Sequence, residues 1–563
     1  MPTENERLLI LGLDGATWTV LDPLRRRGLM PNLDALLARA AHGTLRSIVP
    51  PVTTAAWTSM MTGCGPVRHG VFDHRYYDAA AGQMKVNHSA RVRVPTFWHL
   101  LSEAGRSVVS LNVPGMYPAP PVRGVIVSGM DAPHLEAALA GAPAFAARLR
   151  AEVPEYDLRY FWKRAPQSLE ELTQNARLTA ESFEARARGG LLADKVVPDW
   201  SALMVQFQNL DPFQHRVWRY LNVDETGIDD RAWNDAAGSV LRGLDDAIGL
   251  LCELADRRNA GILAVSDHGF GPCLGRIHVN RILIKAGVAR LPGVLGRIRR
   301  RATQSLDHLR LWGAKRDDPG ARAASFDLSV AAQFPFDWKR TLAFAPHQDT
   351  AAMVYLNSNA RHAGAPLVTP RQIEDALNAS ASALGEARHP ETGRPLFPRI
   401  VRLAETYGID PAREGYPDLI ALPDEPYWVR TKLAPGESWV DADPNLPGTH
   451  RLEGIVALAC SGIEPGRVLR ASLLDIAPTV LQWFGLPVPD YAEGIPLEVG
   501  GDWGLGIRDW GNRSAAQTSA RATSPRQDSP ATHAAGPHHP QFEYTAEEQA
   551  IIEKRLADLG YLE

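Results

Sequence analysis

Six consecutive apolar residues, Leu8-Leu9-Ile10-Leu11-Gly12-Leu13, stop at Asp14-Gly15. A run with no polar alternation has no face to offer water. It reads as a strand buried on both sides, as in a parallel sheet covered by helices. Further strands are expected at 107–113, 124–127, 203–207, 262–265, 419–422 and 455–458. Helices are expected at Pro31 to Ala40, Ala236 to Asp256 and Leu473 to Phe484. Strands alternating with helices over most of a chain define an α/β fold with helices on both faces of a mostly parallel sheet.

The length of 563 residues allows a large core with insertions. Two stretches fit the alternation poorly, 132–199 and 291–336, and are expected to form cap-like insertions over the sheet edge. Their arginines could attract an anionic substrate or simply coat solvated helices. Ser, Ala, Thr, Pro and His dominate from about 512 to 541, the composition of a disordered linker. Beyond it, over 542–563, Thr545 and Glu548 form a capping box. Ile551, Ile552, Leu556 and Leu559 recur there at helical spacing, so a short amphipathic helix is expected. Residues 1–511 are left as the catalytic domain.

A net charge of −4 argues against a binder of nucleic-acid polymers. The four cysteines form no CxxC pair and read as free thiols of a reducing compartment. The start of the chain carries no signal-peptide pattern, and no stretch has the length and apolarity of a membrane span. Together these point to a cytoplasmic protein. Oligomeric state is not legible.

Candidate chemistry gathers at strand ends, where open α/β sheets collect ligands. Asp14 ends the first strand, Asp211 follows the strand at 203–207, and Asp267-His268-Gly269 ends the strand at 262–265. Asp211 and His215 are four residues apart, which on the first turn of a helix puts both on one face. That pair suits half of a zinc or manganese site. Alone, it also fits a helix cap with an exposed histidine, and Asp-His-Gly alone fits a turn.

In Pro50-Pro51-Val52-Thr53-Thr54 a helix is expected to begin at a hydroxyl residue. Such a threonine is ordinarily a cap. The same place binds anions, and a hydroxyl beside a metal there can attack phosphorus.

The segment resembles the nucleophile motif of the type I phosphodiesterase/nucleotide pyrophosphatase branch of the alkaline phosphatase superfamily. Thr62-Gly63, Pro66 and His69-Gly70 occupy that family's places. Counting back from Thr62-Gly63 makes Thr53 the nucleophile, with Thr54 the lesser choice. Asp14, the Asp211/His215 pair, Asp267-His268-Gly269 and His450 follow in family order, and the likeness runs from Leu8 to about Leu497.

The resemblance implies an alkaline phosphatase-like three-layer sandwich and two divalent metal ions, zinc or manganese. One would be held by Asp211, His215 and His450. The other would be held by Asp14, Asp267, His268 and the Thr53 oxygen, in a pair about 4 Å apart. It implies a small phosphate ester as substrate, diester or monoester, and a phosphothreonine intermediate. One position departs from the pattern. His74 stands where nucleotide pyrophosphatases of the family place an asparagine that holds a phosphoryl oxygen, so it is a candidate substrate-binding residue. A surface-loop role fits it equally.

The same site chemistry could serve a phosphomutase or a sulfate or phosphonate ester hydrolase. Thr53 itself does not stand in the first position of a Cys/Ser-x-Pro-x-Arg string, the motif of dedicated sulfatases. A catalytically silent metal-stabilised binding protein is the reading from another class. The complete ligand set argues against it.

Overall fold

The computed structural model describes residues 6–221, 230–293, 334, 336–361, 365–423, 426–433, 438–497 and 542–562. Its centre is an eight-stranded sheet built from β1 (Leu8–Leu13), β2 (Ala41–Arg46), β3 (Ser107–Val113), β4 (Gly124–Ser128), β5 (Trp200–Phe207), β6 (Gly261–Val265), β7 (Glu453–Ala459) and β8 (Val468–Ser472). The spatial order is β8-β2-β7-β6-β1-β5-β3-β4. Every neighbouring pair is parallel except the two made by β7.

The unbroken apolar run at the start of the chain is explained by this position. β1 lies between β5 and β6, with helices over both faces, and its period-2 side chains divide between two cores. Leu9, Leu11 and Leu13 enter one core, and Leu8 and Ile10 the other. Burying each such leucine contributes roughly 1.5–3 kcal/mol.

The helices that matter for the site are α1 (Thr53–Thr62), α2 (Leu169–Val196), α3 (Leu210–Val217), α4 (Arg231–Arg257), α5 (Ile476–Trp483) and α6 (Ala546–Leu559). α2 and α4 form one outer layer, α1 and α5 the other. The long helix α2 lies within the stretch expected to be a cap. It buries Leu172, Ala176, Phe183 and Leu192 in the same core as Leu9 and Leu11, so this part belongs to the sandwich. Its Ala- and Gly-rich face allows close packing, which hid the helix from a reading by large apolar residues.

The stretch at 291–336 lies almost wholly outside the described residues, and the linker at 512–541 entirely so. Leu419–Leu422 is a strand as expected, but in a separate four-stranded sheet with Ala343–Phe344, Ala352–Leu356 and Arg399–Arg402. The terminal helix α6 carries the expected capping box, with Thr545 accepting from the Glu548 N–H. Its Ile552, Leu556 and Leu559 pack against Val86, Met130, Trp428 and Leu446.

Candidate active site

Register alone brings the distant carboxylates together. Leu13 is level with Phe207 across β1–β5, and Gly12 with Val265 across β1–β6. The next residues of each strand therefore emerge at one edge: Asp14 from β1, the turn to Asp211 from β5, and Asp267-His268 from β6. A short antiparallel ribbon pairs His450 with Phe270, carrying His450 over the same point. Asp14, Thr53, Asp211, His215, Asp267, His268 and His450 are all buried.

One group joins Asp211, His215 and His450. Asp211 Oδ1 lies 3.1 Å from His450 Nε2 and 3.5 Å from His215 Nε2, and the two Nε2 atoms are 3.0 Å apart. Both imidazoles are oriented from behind, His215 Nδ1 at 2.9 Å from the Gly448 carbonyl and His450 Nδ1 at 2.8 Å from that of Pro51. These carbonyls require a proton on Nδ1, which leaves each Nε2 to face the cluster.

The second group centres on His268. Its Nε2 lies 3.3 Å from Asp267 Oδ2, 3.8 Å from Asp14 Oδ1 and 3.3 Å from the Thr53 hydroxyl. Ligand atoms of Asp14, Asp211 and His268 lie within 4.8 Å of one another, as do those of Asp211, His215 and His450, so Asp211 stands where the two groups meet. Gly15 is needed at the turn between them. It sits at φ +66°, donates its N–H to Asp267 Oδ1 at 3.1 Å, and an added Cβ would come 2.9 Å from Phe270.

Thr53 is the first residue of α1 rather than its cap. Val52 is the cap residue, and no side chain caps this helix end. The Thr53 hydroxyl is thus left to point into the cluster. The His-Gly motif buttresses the helix. His69 Nδ1 accepts from the Val71 N–H at 3.2 Å, so its Nε2 carries the proton and donates to Ser59 on α1 at 2.8 Å.

Electrostatics show what the site needs. Burial, reinforced by the charges of Asp267 and Asp211, pushes the Asp14 carboxyl well above its ordinary range. Burial pushes Asp267 up to about 8. Burial lowers His215 to about 3 and holds His268 well below its usual value. Burial opposes the charged forms of Asp211 and His450 too, but their mutual attraction overrides it. Asp211, also beside His215, stays below the carboxylate range, and His450 is raised to about 9.

Asp14 Oδ1 and Asp267 Oδ2 are buried without a hydrogen-bond partner among the described residues. Three carboxylates, two of them with an unsatisfied oxygen, beside three imidazoles form a donor set that fits divalent cations.

Several neighbours were not singled out from sequence. Gln206 Nε2 and Trp57 Nε1 donate to Asp14 Oδ2 at 2.6 and 3.1 Å. The signals existed: Gln206 is a polar residue inside an apolar strand, and Trp57 lies one helical turn after Thr53. His74 is buried and not a surface residue, with Nδ1 2.7 Å from the Thr54 hydroxyl. Asp73, His74 and Asp349 also place ligand atoms within 4.8 Å of one another. Asp349 Oδ1 is 3.9 Å from His450 Nδ1.

Tyr561, beyond the end of α6, donates its hydroxyl to Asp211 Oδ2, and burial keeps that phenol protonated. A cavity of 530 Å³ opens beside the cluster, lined by Arg46, Pro51, Thr350, Arg399 and His450. Arg46 comes from the end of β2 and Arg399 from the separate four-stranded sheet.

The mostly parallel, helix-covered sheet carries this cluster at its edge, and the match to a family model places the chain in a class of hydrolases of phosphoric esters. The type I phosphodiesterase / nucleotide pyrophosphatase family matches residues 8–450, and the chain belongs to that family. No curated protein matches the chain significantly. Among solved structures it is similar to phosphonoacetate hydrolase from Sinorhizobium meliloti 1021 in complex with phosphonoformate, at 16% identity and TM-score 0.49, over 84% of this chain and 95% of that one. It is also similar to murine ectonucleotide pyrophosphatase / phosphodiesterase 5, at 12% identity and TM-score 0.46, over 86% and 96%. Among the described residues no helix is long and apolar enough to cross a membrane.

Proposed function

We propose that this enzyme hydrolyses small phosphate esters, diesters or monoesters, with the Thr53 hydroxyl as nucleophile at a two-metal site. The observation that carries the reading is Thr53 Oγ1 at 3.3 Å from His268 Nε2, released from any capping role, amid buried carboxylates with unsatisfied oxygens.

Asp211, His215 and His450 would hold one cation, and Asp14, Asp267, His268 and the Thr53 oxygen the other. Divalent cations there would supply the positive charge that favours the Thr53 alkoxide and neutralises the phosphoryl oxygens. The mixed carboxylate and imidazole set suits zinc or manganese.

Gln206 and Trp57 fix the Asp14 carboxylate, and the Gly448 and Pro51 carbonyls fix the imidazoles, so little reorganisation accompanies the reaction. The Thr53 oxygen forms a bond to phosphorus as the ester oxygen departs and takes up a proton. Water then attacks the phosphothreonine, which restores the hydroxyl and releases the phosphoryl product. His74, held by Thr54 and with Nε2 unpartnered among the described residues, would donate a hydrogen bond to a phosphoryl oxygen. The cavity's size and its arginines suit a small anionic ester. The four free cysteines accord with a reducing, cytoplasmic setting.

The test is turnover of bis-p-nitrophenyl phosphate and p-nitrophenyl phosphate after metal removal and reconstitution with zinc or manganese. A folded protein inactive with every metal would overturn the reading.

A further inference from the structure

We propose that Tyr561 is a positioning residue for Asp211, and that the C-terminal segment is thereby a built-in part of the active site. The inference rests on the reading of Asp211 as a metal-binding carboxylate.

The two oxygens of Asp211 have different neighbours. Oδ1 faces His450 at 3.1 Å and His215 at 3.5 Å, and Oδ2 accepts the hydroxyl of Tyr561. A carboxylate rotates easily about its last bond. A donor on one oxygen fixes that rotation and directs the other oxygen at the imidazoles. A neutral phenol does this without adding a competing positive charge.

The contact is built into the fold. Tyr561 is 1% exposed, its ring centroid 4.5 Å from that of His74 and 6.2 Å from that of Trp428, where the rings stack at 27°. α6 brings it there by burying Ile552, Leu556 and Leu559. Gly560 then turns the chain at φ +96°, where an added Cβ would lie 2.8 Å from Arg216. Arg216 Nη2 donates to the Leu559 carbonyl at 2.9 Å, and Arg216 directly follows His215 on α3. One short helix therefore carries the ligand pair and also holds the chain two residues before the tyrosine. Elsewhere along α6, Arg555 donates to the carbonyls of Met130, Ala132 and Pro133, and Gln549 to that of Met84.

The test compares full-length wild type, Tyr561→Phe and Leu556→Glu, each stripped of metal and titrated with zinc by calorimetry, then assayed for kcat and KM. Tyr561→Phe keeps the ring and removes the hydroxyl. It should weaken zinc binding at one site about 10–100-fold. KM for the ester should stay within about 2-fold, and excess metal should recover most of kcat. Leu556→Glu, which undocks α6, should show at least the same loss of affinity.

Wild-type zinc affinity in a folded Tyr561→Phe would overturn the proposal. So would higher turnover in Leu556→Glu, which would make the tail a plug. Failure of the wild-type chain to bind any divalent cation would instead overturn the metal-site reading on which the proposal rests.

Discussion

The hydroxyl of Thr53 lies 3.3 Å from Nε2 of His268, across 215 residues of sequence. The first sits on the opening turn of α1 and the second on the turn after β6. They meet because β6 and β1 run parallel in register and α1 packs Ala55, Ala56 and Trp57 into the core that holds Leu8, Ile10, Leu263 and Val265. A threonine that neither caps its helix nor reaches solvent has only this cluster to act on.

Thr53→Ala removes the attacking atom. Phosphate ester turnover should fall at least ~10³-fold, with the fold and metal content retained. Thr54→Ala removes the hydroxyl that orients His74 and leaves Thr53 in place, and roughly a 10-fold loss is expected, the equivalent of one hydrogen bond. Steady-state assays of the two variants side by side check the assignment; equal losses would contradict it.

Gln206→Leu tests the support of Asp14. The variant removes the 2.6 Å donor and leaves only Trp57 on that oxygen. Burial and the neighbouring carboxylates already oppose ionisation of Asp14. Metal affinity should therefore drop about 10–100-fold, read by titration of the metal-free protein.

The raised value of His450 gives metal uptake a pH dependence. Its imidazole is held up to about 9, against an ordinary 6.5, so in the metal-free fold it stays protonated at neutral pH. Because its folded value exceeds its unfolded one, this group's contribution to stability is full below 6.5 and is lost as pH rises through 9. A cation must displace that proton, so affinity should rise with pH and level off above about 9. The gain in Tm on adding manganese should accordingly be larger at pH 9 than at pH 7.

His69 gives the opposite window. Burial lowers it to about 3, so the folded state resists a proton that the unfolded chain accepts below 6.5. Stability present above 6.5 is lost progressively as pH falls toward 3. Protonation would also break the Val71 N–H bond to Nδ1. A plot of Tm against pH should slope down through that window, and in His69→Gln the slope should flatten at the cost of a lower Tm at pH 7.

The parts of the fold that follow from a repeating pattern were legible in the sequence. β1, β3, β5, β6 and α4 stood out because both-face burial and helical periodicity leave a local signature. The edge strand β8 and its neighbour β2 did not, because Val468–Ser472 and Ala41–Arg46 are half-exposed and carry polar residues. The ligand types at strand ends could be read because a strand end is itself a local feature. Which oxygen meets which imidazole depends on register, and Tyr561 depends on how a terminal helix docks. Neither leaves a mark on nearby residues.

The central claim is a double displacement through Thr53, and the stereochemical course at phosphorus tests it most directly. A P-chiral phosphorothioate diester would be hydrolysed in oxygen-18 water and the configuration of the product determined. Two in-line displacements invert phosphorus twice, so the account predicts net retention. Net inversion would mean that water attacks the ester directly, and Thr53 would then not be the nucleophile.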